Sequence, residues 1–392
     1  MNLAKSNLVL LVAVVVLAVP TVLQRLSDAE SFVDYARVPL LFDGFTADNV
    51  GFVAIGQPKK EQPPANPQTP TQKPPVQYDQ IYLQRTDKGW VISQLPQAPN
   101  ELAGAPVSKD RVEGDVFAHL GKIRCDRQAL VQTGASPEQL AEFGLDQEHA
   151  TLIKVTDKTG QQSIAELFVG REAAGTQTGS EAVKGVFVRK TDSTDVVLYE
   201  YDKMWRRDVA ADQWLDKVLF KLEPDKATRL SLRNTATAGK TFVFTRTANK
   251  SEWAAAETPE GRGAVRQAEV EGLLQRLRWV AAQEFRAPKQ RAGNLAQLGL
   301  QPPQIELEVG YRDGDAERTV KFEVGNKIDG KTEYYLTCSE NGFLMTWPAG
   351  MVTPFEINPG EAWFDPAAPK PADAAKDAPK EDGKPGEPVK KD

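Results

Sequence analysis

Histidine and cysteine are almost missing from this chain: His119, His149, Cys125 and Cys338 are the whole supply in 392 residues. A zinc or copper centre needs several nitrogen or sulfur ligands converging on one point. Four such residues spread along the sequence argue against one, so no metal and no cofactor is expected. No G-x-S-x-G nucleophile elbow occurs, and Gly134-Ala-Ser136 is better explained as a helix cap. Glu260-Gly-Arg-Gly263 lacks the strand-to-helix setting and the Lys-Ser/Thr pair of a phosphate-binding loop. Charge of one sign is also missing. The 48 basic and 54 acidic residues leave a net charge of -6, with both signs interspersed, which excludes a nucleic-acid footprint.

The remaining titratable groups have plain structural explanations. His119 falls within a predicted helix beside its apolar stripe, and His149 precedes a strand. Glu138 and Glu142 have the i, i+4 spacing of a solvated helix face, although sequence spacing alone leaves a glycosidase-type acid pair open. Asp192, Asp195 and Asp202 do not follow the spacing of a calcium loop. Cys125 and Cys338 read as two isolated thiols, with a disulfide as the alternative in an oxidising compartment.

One long apolar run is present, Leu8 to Leu23, bounded by Lys5 and by Gln24-Arg25. As a helix, Ser6 to Leu23 would span about 27 Å, close to the thickness of a bilayer core. Small residues in A-x-A spacing are lacking near its end, where Val19-Pro-Thr-Val-Leu23 is bulky, and no lipobox cysteine follows. Residues 1–25 are therefore expected to be an uncleaved signal-anchor, a cleaved signal being the alternative. The bulk of the chain would lie on the extracytoplasmic, periplasmic side of a membrane. Two segments, 56–76 and 366–392, are rich in Pro, Gln, Lys, Ala and acids. They lack the large apolar residues that would offset ordering entropy, so both are expected to be disordered.

Between these segments the sequence is written twice. Leu140-Ala-Glu-Phe-Gly-Leu145 recurs as Leu295-Ala-Gln-Leu-Gly-Leu300. Each copy is followed by an alternating run that ends in glycine, Leu167-Phe-Val-Gly170 and Phe322-Glu-Val-Gly325. A repeat of roughly 150 residues is too long for a solenoid unit and suits a whole domain.

Element by element, strands are expected at Val50–Ile55, Ile81–Arg85 and around Trp90. A helix should follow over Lys109–Ile123, with Ser108 as N-cap and Val112, Val116, Leu120 and Ile123 on one face. A short helix is punctuated by Ser136, Pro137, Gln139 and Gly144. Strands then run at Ala150–Thr156, Ser163–Val169, Gly185–Lys190 and Val196–Tyr201. The second half repeats this order. Strands at Lys226–Leu232 and Lys240–Arg246 lead to Trp253, the counterpart of Trp90. A helix over Gln267–Val280 and a short helix at Asn294–Leu298 precede four further strands. This pattern predicts an α+β fold: two tandem homologous domains, each a mainly antiparallel sheet with one longer and one short helix. The expected boundaries are 36–201 and 215–355, joined by a bridge at 202–214.

The opening runs Val38-Pro-Leu-Leu-Phe42 and Leu219-Phe220, the tryptophans Trp90 and Trp253, the elements Phe143-Gly-Leu145 and Leu298-Gly-Leu300, and the endings Val169-Gly170 and Val324-Gly325 resemble the DUF4340 family. The resemblance covers roughly residues 36 to 355. It implies a bacterial envelope protein with one N-terminal anchor, often encoded beside ABC-type transporters, including those called gliding-motility auxiliary systems. It carries over no catalytic residues, and the Pro-rich insertion and the tail depart from the family pattern.

Features shared by both halves are best read as scaffold. Function is sought where the halves differ, above all in the bridge, where Trp205, Arg206, Arg207 and Trp214 are the candidate interaction residues. The leading expectation is a non-enzymatic accessory protein with protein partners in an ABC-transporter-associated envelope complex, with no small-molecule ligand. A polysaccharide-binding module and a carboxylate-based envelope hydrolase are the alternatives.

Overall fold

The computed structural model describes residues 39–60, 76–93, 101–173, 177–178, 181–182, 184–247 and 252–367. The expected anchor over 1–25, residues 61–75 of the insertion and residues 368–392 of the tail lie outside them. Among the described residues no helix is long and apolar enough to cross a membrane. The chain divides into two compact units, the first ending at Lys217 but also taking in Phe285–Ala287, the second comprising the rest from Val218 onward.

The first unit contains β1 (Val50–Pro58), β2 (Tyr78–Thr86), β3 (Gly89–Ile92), β4 (Pro106–Val107), β5 (Leu130–Gln132), β6 (Thr151–Asp157), β7 (Ser163–Ala173), a small hairpin of β8 (Gln177–Thr178) and β9 (Glu181–Ala182), then β10 (Lys184–Lys190) and β11 (Val196–Tyr201). Nine of these form one sheet in the order β4-β3-β2-β1-β6-β7-β10-β11-β5. The second unit contains β12 (Val218–Phe220), β13 (Ala227–Asn234), β14 (Phe242–Thr245), β15 (Ala254–Ala255), β16 (Arg262–Val265), β17 (Val280–Ala281), β18 (Glu284–Pro288), β19 (Ile305–Asp313), β20 (Ala316–Lys327), β21 (Glu333–Cys338), β22 (Phe343–Pro348) and β23 (Phe364–Pro366). Its main sheet runs β15-β14-β13-β19-β20-β21-β22-β18.

The two sheets are traced in the same way. A first hairpin grows outward, the chain crosses through a helix to the far edge (β5 or β18), and the next strand returns beside the first (β6 on β1, β19 on β13). Short antiparallel connections then complete the sheet. The protein is a sheet-rich α+β fold, mostly antiparallel with few helices.

Alternation places one face of each strand inside. Val53 and Ile55 of β1, and Leu230 and Leu232 of β13, are fully buried. The helical stripe Val112, Val116, Leu120 and Ile123 is also fully buried, as are Val270, Leu274 and Leu277 in the second unit. The punctuated helix forms at Pro137–Glu142 with a complete capping box between Ser136 and Gln139. Gly144 and Gly299 stop their segments at φ +65 and +68. Gly170 and Gly325 let a strand pass close to those stops. A Cβ on either would collide with the carbonyl oxygen of Phe143 or Leu298. In both units the following amide closes the contact, Arg171 N to Phe143 O at 3.0 Å and Asn326 N to Leu298 O at 2.7 Å.

Each unit also holds an Arg-Trp-Glu cluster. Trp90 donates its indole N–H to Glu113 at 3.5 Å, and Arg85 lies 3.6 Å from the same carboxylate. Trp253 donates to Glu271 at 2.9 Å, and Arg246 pairs with that carboxylate while its guanidinium lies 4.4 Å from the Trp253 ring centroid. One cross-strand charge pair is reversed between the units. Lys154 on β6 faces Glu166 on β7 at 3.0 Å, whereas Glu308 on β19 faces Lys321 on β20.

Several expectations need correction. The helix expected over 109–123 runs Lys109–Val112, passes through a π turn at Glu113–Phe117 and ends at Ala118–Leu120. Ser108 occupies its N-cap position without a side-chain cap bond, and its backbone N–H instead donates to Trp214 O at 2.9 Å. The second helix ends at Arg276 rather than Val280, because Val280 starts β17. Asn294–Leu298 forms turns instead of a short helix. Asn294 Oδ1 accepts from Ala296 N two residues on, an Asx turn that competes with helical capping, and no capping box supports a helix. Gly56, Gln57 and Pro58 belong to β1, paired with Gln80, Asp79 and Tyr78, so the insertion starts later than composition suggests. The second unit continues past residue 355, since β23 pairs with β16 and buries Trp363 and Phe364. Cys125 and Cys338, by contrast, are the two free thiols expected.

Candidate functional site

The bridge residues are packed into the first unit. After β11 the chain lies along the helix Lys109–Leu120. The π turn orients the Asp115 carbonyl to accept from Arg206 N at 3.0 Å, and the Asp115 carboxylate meets Arg206 Nε at 3.2 Å. Trp214 is fully buried and donates its indole N–H to Asp208 O at 2.8 Å. Trp205 is 5 % exposed and stacks on His119 with ring centroids 5.4 Å apart. Arg207 lies 5.8 Å from the Trp205 ring centroid, and 3.7 Å separates it from Glu172. Arg111 reaches back to the carbonyls of Gln213 and Leu215. Each of the four candidate residues therefore has a partner within the first unit. The two indoles are interior packing rather than an open platform.

What the bridge builds is an aromatic cluster around His119. Tyr199 and Tyr201, two apart on β11, meet the imidazole edge-on at 5.9 and 5.7 Å between centroids. The imidazole Nε2 lies 2.9 Å from Met204 O, and Nδ1 lies 3.0 Å from the Tyr199 hydroxyl. A carbonyl only accepts, so Nε2 carries the proton and the Tyr199 hydroxyl donates to Nδ1. Both ring nitrogens are thus engaged in a neutral imidazole. Burial lowers the His119 pKa from its ordinary value and outweighs the Met204 carbonyl, which favours the charged form. Burial, reinforced by Asp202, pushes the Tyr199 hydroxyl up to about 12. Burial thus favours the neutral form of both groups.

Two adjoining cavities open beside this cluster. One of about 250 Å³ is lined by His119, Lys122, Tyr199, Tyr201, Asp202 and Lys203. The other, about 290 Å³, shares Lys122, Tyr199 and Glu200 and adds Arg124 and Asp126. Both lie at or below the lower end of the roughly 300–1,000 Å³ typical of ligand pockets. The Asp126 carboxyl is held below its usual range by the backbone N–H of Ala129 and then by Arg124. Beside the first cavity Met204 turns its side chain outward, 64 % exposed, with Arg206 Nη2 at 3.3 Å from its sulfur.

The other candidates from the sequence fall elsewhere. His149 pairs with Asp146 at 2.7 Å on the surface. Asp195 accepts from Gly134 N in a turn, and Glu138 hydrogen-bonds Ser136. Among the described residues no group of three or more His, Cys, Asp or Glu could hold a metal ion. Tyr199, Tyr201, Lys122 and Met204 were missed by sequence reasoning. The alternation of β11 signals that its tyrosines share a face, but only the fold brings the helix and the bridge to them.

A sheet-rich α+β unit with a small, mixed-charge groove beside a buried aromatic cluster defines the class. Residues 100–291 match the family described as Domain of unknown function (DUF4340). No curated protein and no solved structure matches the chain.

Proposed function

We propose that this chain is a membrane-anchored, extracytoplasmic interaction protein, built from two tandem copies of one domain and docking a protein partner at the groove of the first unit. The common strand path, the paired Arg-Trp-Glu clusters and the paired glycine contacts support the duplication. The apolar run Leu8–Leu23 supports a single N-terminal anchor. The observation that carries the reading is the pair of adjoining cavities, the first of them lined by Lys203, the chain neighbour of exposed Met204. Each is closer in size to one inserted side chain than to a whole small molecule, and anchors of that kind dominate protein interfaces. The alternating charges of Lys122, Glu200, Asp202 and Lys203 form the polar rim such an anchor needs. The engagement of both His119 nitrogens supports a binding role over catalysis.

The partner we propose is a subunit of an ABC-type transporter complex, on the strength of the family resemblance. A photo-crosslinking residue at Met204, in the full chain expressed in its own host, tests this. Crosslinks to transporter subunits, lost on Tyr201→Ala, are expected. Membrane-associated protein that gives no such crosslink would refute the transporter assignment.

A further inference from the structure

The chain has seven tryptophans, and the fold buries six: Trp90, Trp205, Trp214, Trp253, Trp347 and Trp363 are each at most 5 % exposed. Trp279 is 55 % exposed. It follows the helix Gln267–Arg276 in the second unit, at the entry to β17. Phe220 on β12 faces Val280 on β17, and both point inward. Lys221 and Trp279, their outer neighbours, therefore sit side by side at the surface. The Lys221 ammonium lies 4.2 Å from the Trp279 ring centroid. Arg276 and Arg278 closely precede Trp279 in sequence, and both are exposed. Among the described residues no carboxylate pairs with Lys221, Arg276 or Arg278.

Part of this corner has a purely structural explanation. Arg276 stands in the last helical turn, where a cation complements the helix dipole. Lys221 shades one face of the indole through a cation–π contact. Neither accounts for leaving the largest apolar side chain outside, or for Arg278 beside it. In the stretches 218–224 and 267–284 no other large apolar side chain is exposed. A protein hot spot would need apolar neighbours that can be desolvated with it. Here the neighbours are three cations without counter-charges.

We infer that this corner of the second unit rests on an anionic bilayer surface. An indole sits well at the headgroup level, with its ring toward the acyl boundary and its N–H among polar groups. Phosphate-bearing headgroups supply the charges that Lys221, Arg276 and Arg278 lack. The inference rests on the anchored reading only for bringing the second unit to a membrane.

The buried state of the other six tryptophans makes the test direct. Full-length protein is reconstituted into vesicles of brominated phosphatidylcholine, alone or mixed equally with brominated phosphatidylglycerol. Tryptophan emission is compared with that of Trp279→Phe, and co-flotation is scored in parallel. The expected result is quenching of the wild type beyond that of Trp279→Phe, larger in the anionic vesicles. It should fall back to the Trp279→Phe level in the variant Lys221→Glu/Arg276→Glu/Arg278→Glu, and weaken at high salt. Circular dichroism on both variants confirms that they fold. Protein that floats but shows no excess quenching overturns this inference and leaves the anchor standing. Protein that floats with neither vesicle overturns both. Loss of iodide access to Trp279 on adding a purified transporter subunit, with no quenching by lipid, assigns the patch to a protein and also overturns it.

Discussion

Trp253 donates its indole N–H to Glu271 at 2.9 Å, and the same carboxylate neutralises Arg246, whose side chain is 2 % exposed. The corresponding Glu113 of the first unit serves Trp90 and an Arg85 that is 29 % exposed. Removing the acid therefore has unequal consequences. Glu271→Ala strands a buried guanidinium and should cost about 3–5 kcal/mol. Glu113→Ala leaves a cation that water can reach and should cost about 1 kcal/mol or less. Urea titrations of both variants test this, and equal losses would contradict the burial difference.

His119 makes stability depend on pH. Its folded pKa lies below the ordinary value of 6.5, mainly through burial. At and below pH 6.5 the unfolded chain therefore takes up a proton that the folded chain resists. The contribution is complete above that pH and is lost as the pH falls through the folded value. The melting temperature should fall on acidification from neutrality, with a shallower slope in His119→Gln. That variant should also be about 1–3 kcal/mol less stable at neutral pH, because the Met204 carbonyl and the Tyr199 hydroxyl lose their partner.

Gly325 has no room for a methyl group, with the Leu298 carbonyl on one side and Leu300 on the other. Gly325→Ala should destabilise the second unit by about 1–3 kcal/mol, and Gly170→Ala should do the same to the first. Shifts of the denaturation midpoint below the scatter of control substitutions would show that the carbonyls can move aside.

The two thiols should be chemically distinct. Burial pushes the Cys338 thiol up to about 11, while Cys125 is only half-buried. At about pH 8 a thiol-disulfide reagent should label Cys125 in the native protein and Cys338 only after unfolding. Immediate labelling of both would contradict the packing around β21.

Much of the scaffold was legible because it rests on local rules. Ser136, Pro137, Gln139 and Gly144 announce a helix within eight residues of each other. Gly170 and Gly325 were legible as recurring elements. The carbonyls that make glycine necessary there were not, since they come from distant chain. The same holds for Arg85 and Arg246, which sequence alone does not connect to Trp90 and Trp253. The bridge misled through composition. Trp and Arg are common interface anchors, but Trp205 and Trp214 are spent on packing against the first unit's helix. Trp279 went unmarked because the stripe ending at Val280 drew it into a helix, whereas the chain has already turned into β17.

The reversed charge pair on β6–β7 and β19–β20 bears on how the chain folds. Two neighbouring units with the same strand path invite cross-pairing during synthesis, a known failure of multidomain chains. A β6–β20 pairing in native register would set Lys154 against Lys321, and a β7–β19 pairing would set Glu166 against Glu308. Like charges directly opposite each other disfavour both mispairings. The inversion acts as a proofreading mark that lets each half recognise its own strands. Exchanging Lys154 and Glu166, which pair with each other at 3.0 Å, should leave native stability nearly unchanged and lower the yield of correctly refolded monomer.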